Sequence, residues 1–118
     1  MSSKNINWHK IAESIASIGF QLNDMCIIDV DGKKITLGKY NDSLFAFAHK
    51  CPHASGIMAD GFIDALGNAV CPLHRYKFNL QNGRNSTGEG YYLKTYSTKQ
   101  TEEGVFIGIE ETGLFSFL

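Results

Sequence analysis

Two short arms constrain this chain more than anything else in it. The first is Cys51-Pro52-His53; seventeen residues later comes Cys71-Pro72-Leu73-His74. Each arm offers one thiol and one imidazole. Two soft sulfur donors and two nitrogen donors in a chain of 118 residues point to a metal centre before any other chemistry. Whatever fold forms must bring these arms face to face. The cysteines number three, and an odd count with no export signal argues against a disulfide framework. Cys51 and Cys71 could pair with each other, but their histidine neighbours make shared metal ligation the better reading. Cys26, in the apolar run Met25-Cys26-Ile27-Ile28, reads as a small buried hydrophobe.

The flanking segments read as a scaffold of short strands. Trp8 to Ala12 is a first strand, and Ile11, Ile15 and Ile18 are spaced for a short helical turn over Ala12 to Ser17, ended by Gly19. Met25 to Val30 and Lys33 to Tyr40 flank Asp31-Gly32, a strong hairpin signal. After the turn Asn41-Asp42-Ser43, a strand over Leu44 to Ala48 puts Phe45 and Phe47 on one face and leads straight into Cys51. Between the arms, Gly61 to Asp64 and Asn68 to Val70 form a small hairpin through Ala65-Leu66-Gly67. A hairpin returns the chain on itself, so its open ends, which are the two arms, lie side by side. Beyond His74, Tyr76 to Leu80 is a strand ending at Asn82-Gly83, and Arg84 to Gly90 is a loop. Strands over Tyr91 to Thr98 and Val105 to Glu110 are split by the polar stretch Lys99 to Gly104. Val105, Ile107 and Ile109 share a core face, and Phe115 and Phe117 end the chain as a last short strand or an edge cover. Many short strands and almost no helix predict an all-β antiparallel sandwich or barrel.

Composition narrows the function classes. At 43% hydrophobic and 19% charged residues the chain reads as globular, and a net charge of −1 gives no footprint for nucleic acid or an anionic membrane. No apolar run is long enough to span a bilayer, and the N-terminus lacks the regions of a signal peptide. The expectation is one domain over 1–118, cytoplasmic and soluble.

The ligand order decides between metals. Common zinc fingers supply cysteines as one pair and histidines as another; here each arm mixes them. With the arms side by side, Cys51 faces Cys71 and His53 faces His74, so that two thiolates can hold one iron and two imidazoles a second. The double motif and its gap closely resemble the Rieske iron–sulfur family. The likeness extends to Leu44–Ala48, Gly61–Asp64, Tyr76–Leu80 with Gly83-Arg84, Tyr92–Tyr96 and Val105–Ile107. It is best with stand-alone Rieske-type ferredoxins, close to the Rieske domains of ring-hydroxylating oxygenase systems.

That resemblance implies a Rieske fold with an inserted cluster-binding subdomain over about 49–80, made of two loops and a hairpin. It also implies a [2Fe-2S] cluster held by Cys51, His53, Cys71 and His74. The implied function is one-electron transfer, with no catalytic residue, from a flavin reductase to a terminal oxygenase. The alternatives are a small subunit of a multi-component reductase such as nitrite reductase, and a zinc-stabilised binding module without redox chemistry. The chain's two prolines, Pro52 and Pro72, each follow a ligand cysteine and pre-set its extended backbone. Gly56 gives the first loop backbone freedom.

Departures from the family pattern carry information. The extra cysteines that join the loops by a disulfide in high-potential respiratory members are missing. The serine and tyrosine that donate to their clusters correspond to Tyr76 and Phe78, and Phe78 has no hydroxyl. A potential near the low end of the Rieske range, roughly −150 mV, follows. Arg75 stands where a glycine often follows the second histidine, and Ser86 to Gly90 lacks the prolines of the loop that covers the cluster in respiratory relatives. Both ligand histidines are expected to turn their free nitrogen to solvent. His49 and His9 read as non-ligands, Gly88-Glu89-Gly90 as no phosphate loop, and Lys50, Arg75 and Lys77 as ordinary solvated charge.

Overall fold

The computed structural model describes residues 4–112. Nine strands form: β1 (Lys4–Ala12), β2 (Met25–Val30), β3 (Lys33–Tyr40), β4 (Ser43–Ala48), β5 (Phe62–Ile63), β6 (Asn68–Val70), β7 (Lys77–Asn79), β8 (Thr95–Thr101) and β9 (Gly104–Thr112). Every pairing is antiparallel. Six strands make one sheet in the order β1-β9-β8-β4-β3-β2, and β5-β6-β7 make a small sheet inserted in sequence between β4 and β8. The expected all-β antiparallel architecture forms, with turns where Asp31-Gly32 and Asn41-Asp42 place them. Asp31, Asn41 and Asp42 accept left-handed φ of 51°, 49° and 62°, a conformation short polar side chains tolerate.

Strands β2–β4 are apolar on both faces because each face covers a different core. Cys26, Ile35, Leu37, Leu44 and Ala46 face the curled large sheet and meet Val105 and Ile107, while Ile109 packs against them partly buried. On the opposite face Met25 and Phe47 are fully buried, with Tyr40 and Phe45 partly so, and pack toward the small sheet, where Ala69, Phe78 and Cys71 lie. The polar exception, Thr36, is fully buried and donates its hydroxyl to the Ala48 carbonyl at 3.0 Å, as a buried hydroxyl requires. Cys26 lies in the barrel core, where burial pushes its thiol up.

Three sequence expectations shift. The helical turn is a 3₁₀ turn over Ile15–Ser17, since Ala12 still belongs to β1. The hairpin between the arms gains β7 as a third strand, Phe78 opposing Ala69. The strand expected over Tyr91 to Thr98 runs instead from Thr95 to Thr101. Buried Leu93 is tied to Gly83, its N–H donating to the Gly83 carbonyl at 2.9 Å, and Ala48 N–H bonds the Lys94 carbonyl. The chain is therefore held against these turns before β8 can begin. The polar stretch Lys99 to Gly104 is mostly strand: Lys99 to Thr101 end β8, Gly104 opens β9, and only Glu102-Glu103 turn between them, where Glu103 N–H bonds the Thr101 hydroxyl. Phe115 and Phe117 lie outside the described residues.

Candidate metal centre

Both arms leave strands and close in the same way. Cys51 N–H donates to the Gly56 carbonyl at 2.7 Å, and Cys71 N–H to the Tyr76 carbonyl at 2.9 Å. Each cysteine amide reaches the carbonyl five residues on, so each loop is pinned at its own cysteine. The first loop turns through Ser55 at φ 60°, the second through His74 at 61° and Arg75 at 56°. Two consecutive left-handed residues explain why a glycine is expected after the second histidine: an L side chain there costs about 1–2 kcal/mol. The β5–β6 hairpin between the loops is fixed by Asp64. Its carboxylate accepts from Leu66 N–H at 2.9 Å and Asn68 N–H at 3.0 Å, and the Asn68 amide and Lys77 ammonium also bond it. Partial burial opposes its ionisation, but these donors hold it below the usual carboxylate range. Lys77 is thereby paired, not a free charge at the tip.

The four expected ligands meet in two like pairs. The Cys71 thiol is pushed up to about 11, by burial first and then by the hydrogen bond and charge of the Cys51 thiol. Cys51 is 2% exposed and Cys71 fully buried. The His53 and His74 rings lie 5.0 Å apart at 63°. Among the described residues, no three Cys, His, Asp or Glu side chains converge where one ion would sit. A thiol pair set apart from an imidazole pair suits two metal atoms better than one tetrahedral zinc. His53 Nδ1 is buried with no hydrogen-bond partner, a state costing about 1–3 kcal/mol unless satisfied. These features fit a two-iron group.

Gly56 serves the centre differently from its expected backbone freedom. Its φ lies outside the left-handed range, but a Cβ there would stand 3.1 Å from Cys71 Sγ and 3.1 Å from Leu73 Cγ. It allows the first loop to pass close beside the second cysteine.

One residue of the 84–92 segment, Tyr91, is not singled out by the sequence. The segment is an arch rather than a loose loop: Asn85 bridges Phe78, Arg84 bridges Tyr92, and Ser86 N–H bonds the Lys77 carbonyl. It sets Tyr91 against His53 at 5.2 Å and stacks it on Tyr76 at 5.9 Å, while Tyr76 tilts onto His53 at 4.1 Å. The arch also carries Glu89, held below the usual carboxylate range by the Thr87 hydroxyl first, against some desolvation, and further by Asn85 and the charge of His53. Tyr76 is pushed up by desolvation and then by the Glu89 charge. The only signal in the sequence was a tyrosine directly after a Gly-rich turn. His49 Nδ1 is also buried without a partner, but its ring is outside the stacked group of His53, His74, Tyr76 and Tyr91. His9 lies on β1, 3.8 Å from the Asp31 carboxylate.

Residues 7–96 match the Rieske [2Fe-2S] domain. The ferredoxin component of a naphthalene 1,2-dioxygenase system from Pseudomonas aeruginosa is 28% identical over 101 residues, covering 85% of this chain and 96% of its own. Among solved structures, a ferredoxin from Sphingomonas yanoikuyae B1 superposes with a TM-score of 0.71 at 17% identity, over 89% of this chain and 99% of its own. One described as an NADH-dependent nitrite reductase small subunit from Mycobacterium tuberculosis gives 0.74 at 18%, over 89% and 96%. At these identities the two structures speak for the fold.

Proposed function

Because this chain belongs to the Rieske [2Fe-2S] domain family, we propose that it is the ferredoxin component of a ring-hydroxylating dioxygenase system, carrying single electrons from a reductase to a terminal oxygenase. The observation that carries this reading is the pairing of thiol with thiol and imidazole with imidazole across two pinned loops. Cys51 and Cys71 would hold one iron of the cluster, and His53 and His74 the other. A [2Fe-2S] cluster held there takes up and gives back one electron. The chain's own part is to hold the thiols in a dry pocket, orient the imidazoles and bring one end of the site to the surface. With every ligand position filled by protein, the centre has no place for a substrate, so the chain is a carrier and not itself an enzyme. It works as one domain, with its ligand-bearing subdomain at about 49–80, in the cytoplasm beside its partners. No helix among the described residues is long and apolar enough to cross a membrane. The curated relative works in a dioxygenase system, whereas the likeness to the nitrite reductase subunit is one of fold, so the carrier reading takes precedence.

The test is to produce the chain with iron, quantify iron and labile sulfide, and record its visible and EPR spectra after reduction. Two iron and two sulfide per chain, with a rhombic signal of low average g, are expected for a Rieske centre. Stoichiometric zinc, or a chain folded without iron, sinks the proposal.

A further inference from the structure

The two histidines at the tip are not equivalent. His53 is half-buried, with Tyr76 at 4.1 Å, His74 at 5.0 Å and Tyr91 at 5.2 Å around its ring. His74 is exposed, and its nearest tyrosine, Tyr76, is 6.3 Å away. The left-handed backbone at His74 and Arg75, φ 61° and 56°, makes the sharp tip that presents it. The cover over His53 is held both by its own turn and by Tyr76 at the exit of the second loop. Leu93 N–H bonds the Gly83 carbonyl at 2.9 Å, Arg84 bridges Tyr92 and bonds its hydroxyl at 3.3 Å, and Tyr91 stacks on Tyr76 at 29°.

We propose that electrons enter and leave this protein through the His74 edge alone, and that Tyr91, laid over Tyr76, is the positioning residue that closes the His53 edge. The proposal rests on the carrier reading above and assigns it a side. Electron transfer weakens steeply with distance, so a partner resting on Tyr91 is separated from His53 by the width of a ring, while a partner at His74 touches the ligand itself. The charges at the two edges differ as well: exposed Arg75 follows His74, and Glu89 acts on His53. An anionic reagent is drawn to the open edge and repelled from the closed one.

The experiment uses the oxidised, iron-loaded protein labelled with diethyl pyrocarbonate, with each histidine followed by peptide mass spectrometry. His74 is expected to label at least several-fold faster than His53. Tyr91→Ala should bring the His53 rate up toward that of His74 with the visible spectrum unchanged, and Tyr91→Phe, which keeps the ring, should leave it low. In stopped-flow oxidation of the reduced protein by hexacyanoferrate(III), Arg75→Glu should slow the reaction several-fold and Glu89→Gln should leave it near the wild-type rate. Equal labelling of the two histidines in the spectrally intact wild type overturns the proposal while leaving the carrier reading standing; so does a larger effect of Glu89→Gln than of Arg75→Glu. A chain that never shows the cluster spectrum overturns both.

Discussion

Replacing Gly56 by alanine tests whether the site depends on the close passage of one loop past the other. The added Cβ would sit 3.1 Å from Cys71 Sγ, 3.1 Å from Leu73 Cγ and 3.2 Å from Leu73 Cδ1. Carbon contacts are comfortable at about 3.5–4.0 Å, so each of the three contacts is short by roughly half an ångström. The backbone of the first loop cannot retreat, because the Gly56 carbonyl accepts the Cys51 amide at 2.7 Å. Leu73 is 45% exposed and can swing away; Cys71 is buried and pinned by its bond to Tyr76. Overpacking of this kind costs about 1–3 kcal/mol, offset by about 0.4–1 kcal/mol from the stiffer unfolded chain. The net loss is about 1–2 kcal/mol, or a fall in Tm of about 4–8 °C for a domain of this size. Thermal unfolding by circular dichroism gives the stability, and iron per chain gives the site. Adding Leu73→Ala relieves two of the three contacts. The double variant should therefore recover part of the stability while its iron content stays low, because the sulfur contact remains. If Gly56→Ala matches the wild type in both Tm and iron content, the reasoning is wrong.

Other expectations follow from the same geometry. Cys51→Ser, Cys71→Ser, His53→Ala and His74→Ala should each abolish the cluster spectrum and His49→Ala should not; loss of the spectrum in the His49 variant would overturn the ligand assignment. In iron-free protein, Cys71 keeps its proton up to about pH 11. A group whose folded pKa is raised stabilises the fold below its unfolded value, near 8.5, and that stability is lost as pH rises toward about 11. The urea midpoint should therefore fall across that window in the iron-free wild type and less so in Cys71→Ser, and loading should release protons, which a pH-indicator titration would detect. Gly83→Ala would push a Cβ to 1.9 Å from the Leu93 carbonyl oxygen at a left-handed φ of 75°; left-handed strain and overpacking together cost on the order of 2–5 kcal/mol, readable in urea unfolding. Redox titration should give a potential near roughly −150 mV, and a value above about +100 mV would refute the argument from Phe78 and the missing loop disulfide.

What could be read in advance was local. Asp31-Gly32 and Asn41-Asp42 mark their turns by residue chemistry alone, and β2 and β3 run over the residues their apolar runs predict. The Cys-Pro arms announce the metal class because few other chemistries need that residue set. What could not be read depends on contacts between distant segments. The start of β8 is delayed because Leu93 is held to Gly83, ten residues earlier. The reason for Gly56 is a sulfur fifteen positions away. Tyr91 looks like an ordinary loop residue until the arch places it against His53.

These distant contacts meet in the sheet of β2–β4, which links the barrel to the site. Along β4 the alternating residues Leu44 and Ala46 face the barrel core while Phe45 and Phe47 face the loops; β3 divides Ile35 and Leu37 from Thr36, Gly38 and Tyr40 in the same way. A slip of one residue between these strands would exchange the two sets. It would bury Lys39 toward the loops and expel Phe47 from the core that holds both cysteines. Gly38 shows how tight the correct register is: a Cβ there would stand 3.1 Å from the Phe47 ring and 3.2 Å from Ile63 of the small sheet. The barrel therefore fixes the register, the register fixes which face meets the small sheet, and the small sheet with its loops sets the distance between the ligand pairs. A centre that must take and release an electron with little rearrangement gains from this coupling, because neither loop can shift without disturbing a strand that is packed on both sides.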